Sequence, residues 1–331
     1  MTAPNKNTII KFIRKHKLHK LLVYCNNKPI VKYIVSTLTN LECEKDNDYF
    51  HGNNKSIHLA CRYLSVEFIE EMIDQQNDLD NQNFRKQRPI HIACKYDKID
   101  IVRALINAGA EIKCKDKKRR MPIHYACEYA SAEIVQLLVA ECTNNNHYND
   151  YTDYNDLELS DKFEKTPIHY ACEYNSVDVV KILINCRVNL ECQDKSKMRP
   201  IHYACQFNNI DVIRALINYG VDLDCVDKDG MKPIHYACQY SNVDTVKLLI
   251  NRYNIECQDL DGLGPLHYAC IAKSNEILDT DFNKRIEVVK YLINMKADLN
   301  AKCCCYKKPI DYAHQYASCD IITLLIEANI R

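Results

Sequence analysis

Pro122-Ile123-His124-Tyr125-Ala126-Cys127 recurs unchanged from Pro167, Pro200 and Pro233, and this six-residue motif decides the fold. Looser copies begin at Ser56, Pro89, Pro265 and Pro309. The motif histidine falls at positions 58, 91, 124, 169, 202, 235 and 267, which gives spacings of 33, 33, 45, 33, 33 and 32 residues. Asp311 takes its place in the last copy. A period near 33 indicates one small supersecondary unit that is stacked many times.

Residues 194–226 show what one repeat contains. Pro200 suits the first position of a helix, because its missing N–H would be unpaired there anyway. Apolar residues at helical spacing continue to about Phe207, after which two asparagines end the helix. Asp211 stands in the first turn of a second helix, which has an apolar stripe and ends before Gly220. Each repeat is therefore predicted to be helix, turn, helix and a hairpin-like connector.

The charge of the chain favours no particular class of partner. Its 331 residues carry 44 basic and 44 acidic side chains, so that overall charge points to neither nucleic acid nor membrane. The first residues lack the pattern of a secretion signal, and no apolar run approaches the roughly 18 residues of a membrane span. We expect a monomeric, intracellular protein, cytoplasmic and without membrane contact.

Most of the 19 cysteines fall into two columns of the repeat. Seven follow the motif histidine by three positions: Cys61, Cys94, Cys127, Cys172, Cys205, Cys238 and Cys270. Five more lie in the connectors: Cys43, Cys114, Cys192, Cys225 and Cys257. Cysteines in register on successive repeats are expected to be small buried apolar groups, and so many thiols without a pairing pattern suit a reducing compartment.

Cys303-Cys304-Cys305 is less regular and stands at a predicted turn. One interpretation is that one of the three continues the connector column and the others are incidental. The alternative is a partly exposed thiol that is reactive or forms a weak metal site.

Neither catalysis nor metal binding is favoured by the repeated His-x-x-Cys pairs, such as His169 with Cys172. Two residues three apart on a helix do lie together, but a zinc site needs four converging ligands. Seven equivalent pairs cannot each be an active site, and the six glycines form no phosphate-binding loop. We expect no catalytic residue, no metal and no cofactor.

The repeat resembles the ankyrin repeat, whose motif is Thr-Pro-Leu-His-x-Ala. The resemblance implies an all-α, curved ankyrin-repeat solenoid with eight repeats over residues 47–331, and it implies that the motif histidine orders the turn by hydrogen bonds. Residues 1–46 lack the motif and are predicted to be a degenerate N-terminal capping repeat. Insertions near 143–156 and 272–285 are predicted to be loops. Ankyrin arrays of similar composition are common in large DNA viruses and intracellular parasites.

Ankyrin proteins usually contact partners through the connector tips and the exposed end of the first helix, on the concave side. The matching helix positions carry six aromatic residues, which we call the aromatic column and assign to partner binding: Tyr63, Tyr96, Tyr129, Tyr174, Phe207 and Tyr240. Tyrosine is favoured at interfaces. The alternative is that these rings pack between repeats. A second tyrosine column, beside the histidine, is expected to be structural: Tyr125, Tyr170, Tyr203, Tyr236, Tyr268 and Tyr312.

Basic residues occupy many connector tips: Arg85, Lys86, Arg88, Lys117, Lys118, Arg119, Arg120, Lys195, Lys197, Arg199, Lys228 and Lys232. Of these, Lys117, Lys118, Arg120 and Lys195 are predicted to contact an acidic protein partner, although solvated turns would look the same.

We therefore predict a non-enzymatic protein–protein interaction scaffold that binds on the concave face. One alternative is binding of nucleic acid or an acidic ligand through the basic tips, since cations interleaved with aromatics suit single strands. Against nucleic acid stand the neutral charge and the lack of a recognition motif. Another alternative is an adaptor subunit of a larger complex.

Overall fold

The computed structural model describes residues 56–74, 78–129, 131–144, 157–174, 176–251, 254–271, 279–316 and 319–330. The chain forms two compact units, residues 1–162 and residues 163–331. The described residues contain sixteen α-helices and no β-strand. The predicted all-α class is therefore confirmed.

The described part of the first unit contains three pairs of helices: α1 (Ser56–Tyr63) and α2 (Val66–Asp74), α3 (Pro89–Lys95) and α4 (Ile99–Asn107), α5 (Pro122–Tyr129) and α6 (Ala132–Asn144). The first helices α1, α3 and α5 pack side by side in chain order, and so do the second helices α2, α4 and α6. The unit is thus a stack with one layer of first helices and one layer of second helices.

The second unit repeats this arrangement five times in its described part: α7 (Pro167–Glu173) and α8 (Val177–Asn185), α9 (Pro200–Gln206) and α10 (Ile210–Asn218), α11 (Pro233–Tyr240) and α12 (Val243–Leu249), α13 (Pro265–Cys270) and α14 (Asp279–Asn294), α15 (Pro309–Gln315) and α16 (Cys319–Ile330). Each first helix contacts the next first helix, and each second helix contacts the next second helix. The apolar face of each repeat is therefore covered by its neighbour.

Parts of the predicted organisation lie outside the described residues. These are the capping repeat over 1–46, residues 145–156 of the first insertion and residues 272–278 of the second. Residues 279–285, which also belong to the second predicted insertion, form the first turns of α14. This part of the insertion therefore lengthens a second helix.

In five repeats the motif histidine binds the backbone at the start of its first helix and also a carbonyl oxygen of the next connector. In the second unit, Nδ1 of His169 accepts the backbone N–H of Thr166 at 3.1 Å. Its Nε2 lies 3.1 Å from the carbonyl oxygen of Met198, 29 residues further on. Because Nδ1 accepts, the ring proton stands on Nε2, which donates to that carbonyl. The predicted role of this histidine in ordering the turn is confirmed.

Burial keeps these histidines neutral. His91 in the first unit and His169 in the second are fully buried, and the loss of hydration lowers the pKa of each ring to about 4. Backbone hydrogen bonds oppose this change without overcoming it. A neutral imidazole can accept at one nitrogen and donate at the other, as the repeat requires.

The cysteines pack as the register predicts. All seven cysteines of the motif column are almost completely buried. Burial raises the pKa of the thiols of Cys61, Cys94, Cys127, Cys205, Cys238 and Cys270. Connector cysteines lie against the motif histidine that precedes them by 22 or 23 residues, as with Cys225 Sγ at 3.9 Å from His202 Nε2. Cys192 and Cys257 are less buried, and Cys43 lies outside the described residues. The column cysteines are therefore confirmed as small apolar core groups.

The connectors are joined at their tips by backbone hydrogen bonds. In the first unit the N–H of Lys117 donates to the carbonyl of Arg85 at 2.8 Å. In the second unit the equivalent bonds run from one tip to the preceding one, including Lys228 to Ser196 at 2.9 Å. Within each unit this ladder holds the exposed side chains of successive tips in register.

Candidate protein-interaction surface

The second tyrosine column anchors the first helices to their connectors. In the second unit the hydroxyl of Tyr203 donates to Asp194 Oδ2 at 2.7 Å. The other oxygen, Oδ1, accepts the backbone N–H groups of Ser196 and Met198 at 2.8 and 2.9 Å. The aspartate thus closes the turn and holds the tyrosine, and its signal in the sequence is an acidic residue nine positions before the tyrosine. The structural role expected for this column is confirmed.

Cys303 stands in the aspartate column of the last repeat. It precedes Tyr312 by nine residues, and its Sγ lies 3.4 Å from the tyrosine hydroxyl. The position of the connector cysteines is occupied by Ala301 in this repeat. The expectation that one of the three cysteines continues the connector column is therefore wrong, because the register is set by the pairing with the tyrosine. Cys304 and Cys305 are exposed at the tip.

The aromatic column lies at the C-terminal ends of the first helices. Tyr129 in the first unit is 45% exposed, and in the second unit Tyr174 and Phe207 are 47% and 49% exposed. The remaining members, Tyr63, Tyr96 and Tyr240, are half-buried. These helix ends therefore present large apolar side chains to solvent in each unit.

Part of the aromatic column packs within its own helix. Tyr129 stacks on Tyr125 one turn earlier, with ring centroids 6.4 Å apart and planes at 24°. Tyr240 stacks on Tyr236 in the same way at 6.3 Å. This spacing of four residues places both rings on one helix face. The rings of Tyr129 and Tyr240 are therefore each packed on one side against a tyrosine of their own helix.

Two cations that sequence reasoning missed lie between the rings of the first unit. The guanidinium of Arg62 is 4.7 Å from the ring centre of Tyr63 and 4.6 Å from that of Tyr96. The ammonium of Lys95 is 5.8 Å from the ring of Tyr96 and 5.5 Å from that of Tyr129. We call these five side chains the cation–tyrosine stripe. Their signal in the sequence was a basic residue directly before the aromatic residue in two successive repeats.

The predicted tip residues Lys117, Lys118 and Lys195 are exposed, whereas Arg120 is not. The Arg120 side chain is 12% exposed, forms an ion pair with Glu128 at 3.0 Å, and lies with its guanidinium carbon 4.1 Å above the Tyr125 ring. Its charge is therefore used within the first unit, and the structure places it apart from the other three tip residues.

Three further basic residues of the connectors are also ion-paired. Arg88 pairs with Asp80 and Glu111 at 2.6 Å each, Lys232 pairs with Asp224 at 2.7 Å, and Arg199 pairs with Glu191 and Asp222. The cations that remain exposed at the tips are Arg85, Lys86, Lys117, Lys118, Arg119, Lys195, Lys197 and Lys228. The exposed positive charge is thus carried by the outermost tip residues.

Within the described ranges, no three His, Cys, Asp or Glu side chains are grouped so that they could hold a metal ion. The helices described here include none with the length and apolar character needed to cross a bilayer. The exposed helix ends and tips are therefore the features of these residues that a function can be argued from.

Comparison with protein families gives two matches. A family model described as ankyrin repeats in three copies matches residues 18–116, 57–152, 90–190, 151–227 and 213–280. A model for the single ankyrin repeat matches residues 261–304. A search of curated proteins finds no match. The family matches run from residue 18 to residue 304 and confirm the resemblance drawn from the motif.

Proposed function

Because the chain belongs to the ankyrin repeat family, whose repeats are generally protein–protein interaction modules, we propose that it is a non-enzymatic scaffold. Its partner is a protein, which it binds through what we call the first-helix face. This face consists of the exposed ends of the first helices together with the connector tips of the same unit. The proposal goes beyond the family by assigning the contacts to particular side chains.

The observation that carries the proposal is the exposure of aromatic rings in register. Tyr174 and Phe207 occupy equivalent positions on α7 and α9, and about half of each side chain is accessible to solvent. Burying an aromatic ring is among the largest single contributions to protein association. Two such rings on adjacent helices provide a contact strip that a partner can cover.

The state of the buried histidines and thiols supports a role in binding without catalysis. Burial lowers the pKa of His91 to about 4 and raises the pKa of the Cys94 thiol, three residues later in the same pair. A thiol that stays protonated is a poor nucleophile. The repeated Cys–His pairs therefore act as core groups in this account.

The test is a double substitution in the second unit, Tyr174→Ala with Phe207→Ala. The matched control is Tyr219→Ala with Met295→Ala, since these exposed side chains lie at the ends of the second helices α10 and α14. Proteins captured by the wild-type chain from cell extract are identified by mass spectrometry, and their affinities are then measured with purified components. We expect the first variant to bind at least tenfold more weakly and the control to bind as the wild type does.

Equal affinities of all three proteins for every captured partner would contradict the proposal. Thermal unfolding of each variant separates a binding effect from a folding effect, because substitutions at exposed positions should change stability by no more than about 0.5 kcal/mol.

A further inference from the structure

The cations of the cation–tyrosine stripe keep their charge. A cation that lies over an aromatic ring is attracted by the ring without being neutralised. Among the described residues no carboxylate forms an ion pair with Arg62 or with Lys95. Arg88 and Arg120 in the same unit are both ion-paired. The stripe therefore presents two positioned charges that no carboxylate of the described residues neutralises.

Lys95 is half-buried, and the cations Arg85, Arg120 and Arg62 lie near it. Burial lowers the pKa of its ammonium group, and the nearby cations Arg85, Arg120 and Arg62 lower it further. Glu128 has the opposite effect but does not compensate. A carboxylate placed near Lys95 would favour its charged form and offset the repulsion between these cations.

We propose that the cation–tyrosine stripe binds an acidic peptide segment in polyproline II conformation, with carboxylates three residues apart. Arg62 and Lys95 hold equivalent positions on α1 and α3, which are neighbouring helices. Neighbouring helices pack about 8–10 Å apart. A polyproline II peptide has three residues per turn and advances about 3.1 Å per residue, so that side chains three residues apart lie on one face. Three residues of peptide therefore match one repeat. The inference rests on the proposed function and names the chemistry of the partner.

The arrangement of the rings favours a peptide over a nucleic acid. Single-stranded nucleic acid is held by bases that stack on free aromatic faces. Tyr96, the central ring of the stripe, has Arg62 and Lys95 against it at 4.6 and 5.8 Å. What the stripe offers a ligand is therefore positive charge, with the rings acting as supports.

The charge of the stripe is confined to the first unit. In the following repeats the residue before the aromatic column is Glu128, Glu173, Gln206 and Gln239. Glu128 is already paired with Arg120. An acidic segment is therefore recognised at the repeats of α1 and α3, and the aromatic ends in the second unit provide contacts of a different, uncharged kind.

The experiment measures fluorescence polarisation of a labelled twelve-residue peptide that carries glutamate at every third position among glycine and serine. Three control probes accompany it: the same peptide with glutamine for glutamate, a peptide with its glutamates clustered at one end, and a labelled oligo(dT) strand. The test variant is Arg62→Gln with Lys95→Gln. Its matched control is Arg103→Gln with Lys181→Gln, which removes the same two charge types from exposed positions on the second helices α4 and α8. A third variant, Arg62→Lys with Lys95→Arg, keeps both charges.

We expect the test variant to bind the spaced peptide at least tenfold more weakly, while the matched control stays within twofold of the wild type. The charge-keeping variant should retain most of the affinity, which shows that the site still folds. Equal losses in the test and control variants would overturn the proposal, as would equal binding of the glutamine peptide or the clustered peptide. Tighter binding of oligo(dT) than of the spaced peptide would overturn it in favour of nucleic acid. If the peptide fails but captured proteins still depend on Tyr174 and Phe207, the proposed function stands without this inference.

Discussion

The hydroxyl of Tyr312 lies 3.4 Å from the Sγ of Cys303, in the place where other repeats of the second unit have a carboxylate. Burial raises the pKa of the Cys303 thiol, but hydrogen bonds from Tyr312 and from the backbone of Cys305 and Lys307 outweigh this and leave the pKa below its usual value. The turn of the last repeat therefore retains the donors that elsewhere hold an aspartate.

Replacing this thiol by the carboxylate of the other repeats should stabilise the second unit. We expect Cys303→Asp to raise the free energy of unfolding by about 1 kcal/mol, because the carboxylate accepts the same donors more strongly than sulfur does. Urea unfolding followed by circular dichroism measures the change. Cys304→Asp, one position further on at an exposed site, should give no gain. A loss of stability in Cys303→Asp would show that this turn is not built like the others.

Acid should weaken the fold through the buried histidines. The pKa of His169 is about 4 in the folded chain and about 6.5 when unfolded. The unfolded chain therefore takes up a proton below about pH 6.5, and the folded chain does so only near pH 4. The contribution of this histidine is fully present above pH 6.5 and is lost as the pH falls toward 4, by up to about 1.4 kcal/mol per pH unit.

The variant His169→Gln isolates this effect, since glutamine offers an acceptor and a donor but does not titrate. At pH 7.5 it should cost about 1–3 kcal/mol through less well satisfied buried groups. Its loss of stability between pH 6.5 and 4 should be smaller than that of the wild type. Parallel pH profiles for the two proteins, recorded by urea unfolding, would disprove the assignment.

Gly220 and Gly230 allow the cost of a left-handed backbone angle to be measured apart from the cost of a steric clash. Gly220 and Gly230 both have φ of +79°. A Cβ at Gly220 would meet nothing within 4 Å, whereas a Cβ at Gly230 would lie 2.9 Å from the backbone nitrogen of Leu260. Gly220→Ala should cost about 1 kcal/mol from the left-handed angle alone.

Gly230→Ala should cost at least about 1 kcal/mol more than Gly220→Ala, because the neighbouring tip must also move. Lys197 holds the same place one repeat earlier and has φ of +56°. An alanine at position 230 should therefore move φ from +79° toward that value. Thermal unfolding of the two variants side by side gives the difference. Identical unfolding temperatures would mean that the tips are not held in close contact.

The exposed tip cations should set the speed of association with an acidic partner. Lys117→Glu with Lys118→Glu is expected to slow association about tenfold at low salt, with little change in dissociation. Lys181→Glu with Lys247→Glu reverses two exposed charges on second helices and serves as the control. Surface plasmon resonance at several salt concentrations measures both rates. Similar association rates for the two variants would rule out steering by the tips.

The fold could be predicted because the same sequence signals for helix starts and ends recur in successive repeats. Pro200 and His202 recur at fixed places, and their roles at a helix start depend on neighbours only a few residues away. The burial of the seven cysteines in the motif column followed from register alone. Short-range interactions that recur in many repeats therefore made the helix pairs and the core predictable from the sequence.

The candidate surface was harder to predict from the sequence, because it depends on contacts between side chains that are distant in the chain. Arg120 looked like a free tip charge, yet Glu128 eight residues later takes up its charge. The sequence did not identify Arg62 as a surface residue of interest. Its place in the stripe depends on its contact with the ring of Tyr96 in the next repeat. The prediction that one of Cys303, Cys304 and Cys305 continues the connector column was wrong, because the register is defined by the pairing of Cys303 with Tyr312. Contacts between separate segments of the chain decided each of these cases.

The most direct test of the first-helix face is site-specific photo-crosslinking. A photoreactive phenylalanine analogue placed at Tyr174 lies on the end of α7, and the same analogue at Tyr219 lies at the end of the second helix α10. The account predicts that a bound protein partner is crosslinked from position 174 and not from position 219. Crosslinking from position 219 alone would contradict it.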